Sequence, residues 1–214
     1  MKIIAISDTH GMHDRITVPP GDMLVFAGDM CNCGSIREVK DFGYWLSNLP
    51  HKHKVVVAGN HDWPFERDYE RDEARKIIGN CATYLEDSSV EIEGVSIYGS
   101  PWQPEFCGWA FNLPRGESLR RKWSMIPQRL DLLITHGPPA GIMDSVKTRP
   151  TSVPLGCQEL RHAVVMVGPA YHVFGHIHDG YGEMEDQGIK FVNASACNES
   201  YHPENKPIEF EIGG

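Results

Sequence analysis

Residues 2–10 read Lys2-Ile3-Ile4-Ala5-Ile6-Ser7-Asp8-Thr9-His10, a short apolar strand that runs straight into polar side chains. The same figure returns twice early in the chain. Asp22 to Ala27 is an apolar strand ending at Gly28-Asp29, and Lys54 to Ala58 is a buried strand ending at Gly59-Asn60-His61-Asp62. Between them, Ser35 to Leu49 places Ile36, Val39, Phe42, Gly43 and Leu46 at helical spacing, with Ser35 as N-cap. Phe65 to Ile78 is charged and predicts an exposed helix. Strands alternating with helices, each strand closing on polar residues, predict βαβ units. In such folds ligands gather outside the carboxyl ends of the strands.

The pattern changes after Thr83. Val90–Ile92 and Val95–Tyr98 flank a Glu93-Gly94 turn, which predicts a hairpin. An aromatic loop follows, then a helix near Glu117 to Ser124 and a strand, Leu132-Leu133-Ile134, ending at Thr135-His136-Gly137. A further helix is predicted near Gly156 to Met166, with short strands at Tyr171–Phe174, Tyr181–Glu185, Lys190–Asn193 and Ile208–Ile212. No repeat, linker or low-complexity tract interrupts the chain, so a single domain over 1–214 with two packed sheets is expected.

Composition narrows the class. Hydrophobic residues are 41% and charged residues 23% of the 214, near the average of soluble globular proteins, which disfavours disorder. No apolar run approaches the roughly 20 residues that span a bilayer, so no membrane partner is expected. Met1 and Lys2 lead directly into the first strand without a cleavage-site pattern, and a cytoplasmic protein is expected. The six cysteines (Cys31, Cys33, Cys81, Cys107, Cys157 and Cys197) are then expected as reduced thiols. Cys31 and Cys33 do not have C-x-x-C spacing and are read as small loop residues. The sequons at Asn193-Ala194-Ser195 and Asn198-Glu199-Ser200 carry little meaning off the secretory route. A net charge of −9, from 29 acidic and 20 basic residues, opposes non-specific nucleic-acid binding. It does not exclude a nuclease, because bound dications add local positive charge.

Five strand-end motifs carry the chemistry: Asp8-Thr9-His10, Gly28-Asp29, Gly59-Asn60-His61-Asp62, Thr135-His136-Gly137 and Gly175-His176-Ile177-His178. Each alone is weak, since Gly-Asp and Gly-Asn are common turn pairs. Together, in order and each after a strand, they predict a binuclear metal site. Asp8 and His10 are two apart on extended chain, so both can face one ion, and His176 and His178 share that spacing. Asp29 can bridge two ions with its two oxygens, and cations roughly 3.5–4 Å apart clamp a phosphoryl group. Imidazole with carboxylate suits first-row transition metals better than calcium, and the absence of Cys argues against a structural zinc site. Two divalent ions are expected, manganese first, with iron or zinc as alternatives.

This set resembles the calcineurin-like metallophosphoesterase superfamily, with its D-x-H, G-D, G-N-H, later His and G-H-x-H, matched here from Asp8 to His178. The resemblance implies an α/β fold, a four-layer αββα sandwich of two mixed β-sheets flanked by helices. It implies a first metal on Asp8, His10, Asp29 and His178, a second on Asp29, Asn60, His136 and His176, and a catalytic, non-ligating His61. Gly99-Ser100-Pro101-Trp102-Gln103-Pro104 and Trp109-Ala110-Phe111-Asn112 are similar to the branch of brain metallophosphoesterase-domain proteins, phosphodiesterases acting on cyclic nucleotides. Trp102, Trp109 and Asn112 then become candidate substrate contacts, or else a packed corner between the sheets. Phosphoprotein phosphatases of the superfamily carry an Arg after Gly-Asp and read G-N-H-E. Here Gly28-Asp29-Met30-Cys31-Asn32-Cys33 lacks that Arg, and with it a clamp for a monoester dianion.

The expected function is a metal-dependent phosphodiesterase acting on small diesters, cyclic nucleotides among the candidates, through a water activated on the metals. A phosphomonoesterase or nuclease on the same site, and a non-catalytic binding module, are the alternatives. The sequence leaves oligomeric state open. His13 reads as a loop residue or a support behind the site, and His51 and His53 as solvated. His162, His172 and His202 have no motif around them, while Asp62 either orients His61 or serves a turn.

Overall fold

The computed structural model describes residues 1–148 and 151–213. The chain begins β1 (Lys2–Ile6), β2 (Met23–Ala27), α1 (Ile36–Ser47), β3 (His53–Val57), α2 (Arg71–Gly79) and β4 (Thr83–Tyr84). It continues β5 (Ser88–Ile92), β6 (Val95–Ser100), β7 (Gln103–Pro104), β8 (Asn112–Leu113), α3 (Glu117–Trp123) and β9 (Leu132–Thr135). The last part is β10 (Ser145–Thr148), β11 (Thr151–Pro154), α4 (Gln158–Val167), β12 (Tyr171–Phe174), β13 (Gly182–Asp186), β14 (Ile189–Asn193) and β15 (Ile208–Glu211).

Two mixed sheets form the centre. One has the order β15-β1-β2-β3-β4, parallel except for β15; the other is β13-β14-β12-β9-β6-β5, with antiparallel pairs at both edges. Side chains alternate across a strand, and in β1 both faces are covered. Ile3 and Ala5 join Val25, Val55, Ile97, Leu132 and Val173 in a core between the sheets. Ile4 and Ile6 instead pack with Phe26, Val39, Phe42, Leu46, Ala74 and Ile78, beneath α1 and α2. A third core joins Leu133, Phe174 and Phe191 to Leu119, Trp123, Leu160 and Val164 of α3 and α4. Three cores separate four layers, which is the expected αββα sandwich. No helix among the described residues is long and apolar enough to cross a membrane.

Ser35 caps α1 in a reciprocal box. Its hydroxyl accepts from the Glu38 amide, and the Glu38 carboxylate accepts from the Ser35 amide at 2.9 Å. Ser35→Ala is expected to remove about 1 kcal/mol, and so to lower the melting temperature by about 2–4 °C in thermal denaturation. The helix expected from Phe65 begins instead at Arg71. Pro64 sits in a short 3-10 turn over Trp63–Phe65, Phe65 is buried, and successive turns carry the chain to Arg71. Nor is α2 wholly exposed, since Ala74 and Ile78 are buried against the α1 layer. The short strands β4, β7, β8, β10 and β11 have no counterpart in the sequence reading, because the first three are two residues long and the last two, Ser145–Thr148 and Thr151–Pro154, are not apolar runs.

Candidate metal centre

Strands β1, β2 and β3 run parallel, with Ala5 beside Val25 and Val25 beside Val55, so their carboxyl ends lie along one edge. Asp8, Asp29 and Asn60 emerge there. Strands β9 and β12, also parallel, deliver His136 and then His176 and His178 from the second sheet. The sheets are joined at this edge: Ser7 N donates to Ala194 O, and Ala196 N donates to Ser7 O, each at 2.9 Å. The backbone then turns sharply. Asp8, His10, Asp29 and His176 have φ of 53°, 44°, 59° and 68°, the left-handed region that non-glycine residues rarely adopt. Strain of this kind persists where the surrounding structure enforces it, commonly at functional sites.

All seven candidate ligands of the sequence reading meet in one space. Donor atoms of Asp8, His10 and His178 lie within 4.8 Å of one another, as do those of Asp29, His136 and His176. Asn60 joins the second group through Oδ1, 2.9 Å from His136 Nε2. Asp29 stands between the groups, with Oδ2 3.9 Å from His10 Nε2 and 3.4 Å from His136 Nε2. His61 also comes within ligand range of His10 and Asp29.

The donor chemistry fits cations. His136 Nδ1 donates to Ala27 O at 2.9 Å and His178 Nδ1 donates to Asn198 O at 2.9 Å. A carbonyl only accepts, so these nitrogens carry the protons and the Nε2 lone pairs face inward. There they meet other acceptors: His136 Nε2 meets Asn60 Oδ1, and His178 Nε2 lies 3.5 Å from Asp8 Oδ1 and 3.2 Å from His10 Nε2. Acceptors buried face to face repel unless a proton or a cation lies between them. Burial opposes ionising Asp8, but the hydrogen bond and charge of His178 outweigh it and hold the carboxyl well below the usual range. Asp29 is depressed in the same way, burial being outweighed chiefly by His136. Burial pushes His10 down to about 4 and His176 to about 3, against the pull of both carboxylates. Burial also opposes charge on His136 and His178, but Asp29 raises His136 to about 9 and Asp8 raises His178, so without metal these two rings hold protons against the carboxylates where a bound cation would take their place.

The glycines of the motifs leave room for these groups. A Cβ on Gly175 would stand 2.0 Å from Asp8 Oδ2, and one on Gly59 would stand 2.4 Å from Asp29 Oδ1. Neither glycine has a positive φ, so the constraint is space alone. Gly175→Ala is expected to displace the Asp8 carboxylate and to abolish binding of at least one metal ion, read by elemental analysis of purified protein.

His61 lies on the wall of a cavity of about 300 Å³ beside this cluster. Its Nδ1 donates to Asn32 O at 2.7 Å, leaving Nε2 as the free ring nitrogen. Asn32 is itself held by Glu38, which accepts from the Asn32 and Cys33 amides, so the cap of α1 supports the His61 anchor. The Trp109 ring stacks on His61 with centroids 4.2 Å apart, and the His10 ring meets it edge-on. Of the candidate substrate contacts, Trp109 lines the cavity and the other two do not. Trp102 donates Nε1 to Asp87, lies beneath the Lys122 ammonium and packs on Phe111. Asn112 holds the loop together, accepting from Gln103 and donating to Phe106 O. For those two the packed corner is the outcome, because their polar atoms are already matched within the protein.

Asp62 does not touch the His61 ring. Fully buried, it accepts from the amides of Asp29, Cys31 and Gly59 at 2.8–2.9 Å and from Met30 at 3.4 Å, fixing the Gly28–Cys31 turn. Burial, with the charge of Asp29, pushes its carboxyl up to about 6. His51 is not solvated but buried, hydrogen-bonded to Pro19 O. His13 lies in the β1–β2 connection, in a single 3-10 turn over His13–Arg15, and its buried ring packs among Phe42 and Trp45. The remaining cavity wall includes Phe106, Arg115, Val146, Leu155 and Tyr201, none of which has a sequence signal. Tyr201 reaches over both His10 and His178, with centroids 4.8 and 4.9 Å away.

The comparisons with known proteins agree with this geometry. A profile of the calcineurin-like phosphoesterase family matches residues 1–180. Human metallophosphoesterase domain-containing protein 1 is 43% identical over 233 residues, covering 99% of this chain and 71% of its own. In fold, the chain is similar to the phosphopantetheinyl hydrolase PptH of Mycobacterium tuberculosis, at TM-score 0.64 and 15% identity over 97% of this chain and 95% of that one. TT1561 of Thermus thermophilus follows at TM-score 0.59 and 16% identity, over 90% and 88%.

Proposed function

The chain belongs to the calcineurin-like phosphoesterase family of metal-dependent phosphoester hydrolases, and on that premise we propose that it is a phosphodiesterase with a two-metal centre. Asp8, His10, Asp29 and His178 would hold one divalent ion, and Asp29, Asn60, His136 and His176 the other, with manganese as the first candidate. Bound ions of this kind supply Lewis acidity to a phosphoryl group and a water acidic enough to ionise near neutral pH. The protein's own residues do the rest. The two carboxylates provide negative charge that allows dications to approach one another. His61, anchored through Nδ1, presents Nε2 beside the centre, where it can give a proton to the departing oxygen. Trp109, Phe106 and Tyr201 exclude water and offer flat apolar surfaces to the organic part of a small diester.

One observation carries the preference for diesters. Among the described residues lining the cavity, the one Arg or Lys is Arg115, and its guanidinium already donates to Gly156 O and Leu155 O at 2.9 Å each. Those bonds to carbonyls tie up the Arg115 fork without cancelling its charge, and among the described residues no second Arg or Lys lines the cavity to match the second charge of a monoester dianion, whereas a diester carries a single charge. Metal-stripped protein is expected to be inactive and to recover on adding manganese, hydrolysing a nitrophenyl diester faster than the matching monoester. A monoester preference would overturn the reading. Small diesters, cyclic nucleotides among them, are the proposed substrates. A cytoplasmic setting belongs to the same proposal, supported by six unpaired cysteines.

A further inference from the structure

The seven candidate ligands lie in residues 8–178, and the family profile ends at residue 180. The hydrogen bonds that aim three of them come from farther along the chain. Asn193 ends β14 beside Phe174, the last residue of β12, and the following segment passes between the two sheets to meet Ser7. Asn193 and Ser195 are both fully buried. Asn193 Nδ2 donates at 2.9 Å to Ile177 O, the carbonyl between His176 and His178. Its Oδ1 receives the Ser195 amide at 3.1 Å and lies 2.8 Å from the Ser195 hydroxyl. That hydroxyl is 2.9 Å from Asp8 Oδ2, to which it donates, and the Ser7 hydroxyl donates to the same oxygen at 2.5 Å. The His176 amide lies 3.0 Å from both oxygens of Asp8, and with Oδ2 also holding the two hydroxyls, Oδ1 is the oxygen that faces His178 Nε2.

We propose that Asn193 and Ser195 are positioning residues that lock the Asp8 carboxylate to the His176–His178 turn and so set the affinity of the first metal site. This rests on the two-metal reading above. The two residues touch neither the cavity nor a substrate. Their effect is to fix which carboxylate oxygen points inward and to hold that oxygen at a set distance from the His178 ring. Groups behind metal ligands commonly influence affinity by about 10–100-fold. The burial of Asn193 also removes it as a glycosylation acceptor, leaving this structural use for the first sequon.

The test is manganese titration of the metal-free protein by calorimetry and electron paramagnetic resonance, which resolve the two sites. Ser195→Ala is expected to weaken one site by about 10–100-fold and leave the other unchanged. Asn193→Ala should weaken the same site; if that variant does not fold, Ser195→Ala, which deletes one hydroxyl, carries the test by itself. Unchanged affinity at both sites, or an equal fall at both, would overturn the proposal. Asp8→Asn separates the two levels of argument. Loss of the same single site supports the assignment of Asp8 and two intact sites in Asp8→Asn would overturn it, whereas fewer than two manganese ions on the unaltered protein would overturn the two-metal reading itself.

Discussion

His61→Ala is expected to lower turnover by about 10²–10⁴-fold while metal content stays near that of the wild type. The expectation follows from how the ring is held. Nδ1 is committed to Asn32 O, the Trp109 ring covers one face, and Nε2 is left beside the metal cluster. A fixed imidazole at that place can protonate a leaving oxygen without changing position. Because His61 also lies within ligand range of His10 and Asp29, metal analysis is the deciding companion measurement. Loss of a metal ion from His61→Ala would make it a ligand and end the general-acid assignment. The leaving group provides the second check. A nitrophenolate departs with little help, so the defect should shrink on a nitrophenyl diester relative to an alkyl diester, and an equal defect on both would count against proton donation.

Asp62→Ala should be the most damaging single change to stability outside the hydrophobic cores. The carboxylate has no exposed surface and receives four backbone N–H groups, from Gly59, Asp29, Met30 and Cys31. Removing it strands those donors in a site that water does not reach. Breaking a buried charged cluster from one side typically costs about 3–5 kcal/mol. For a chain of this size that corresponds to a fall of roughly 6–20 °C in melting temperature. Thermal denaturation of metal-free protein isolates the effect, since no bound ion then contributes. A drop below about 2 °C would show that the amides find other partners. The same variant should bind metal poorly, because the turn it releases carries Asp29.

How much of this was legible in advance depends on the range of the interaction involved. The strands β1, β2, β3, β9 and β12 and the helix α1 declare themselves through short apolar runs, helical spacing and a local cap, all written within a dozen residues. The candidate ligands are legible for the same reason. Parallel strands must end on a common edge, so polar residues placed just after each strand are brought together by the topology itself. The glycines beside them follow from proximity to the carboxylates, a constraint of space that the motifs already carry. The residues alone therefore point to two packed sheets and to seven donor side chains that converge at their common edge, while the four-layer arrangement came with the family resemblance.

The other contacts depend on partners far away in the chain and appear only once it has folded. Trp102 and Asn112 look like substrate contacts until Asp87, Gln103 and Phe106 are seen to satisfy them. His51 and His13 look solvated or peripheral until Pro19, Phe42 and Trp45 enclose them. Asp62 reads either as an aid to His61 or as a turn residue, and only its packed surroundings show the side chain turned to the backbone around Asp29. The sequence marks Ser195 only as part of a sequon and not as the partner of Asp8 across 187 residues, and it gives no sign of Tyr201 above the histidines. A buried polar atom must find a partner, but which partner is fixed only when the sheets have packed and brought distant segments within about 3 Å of each other.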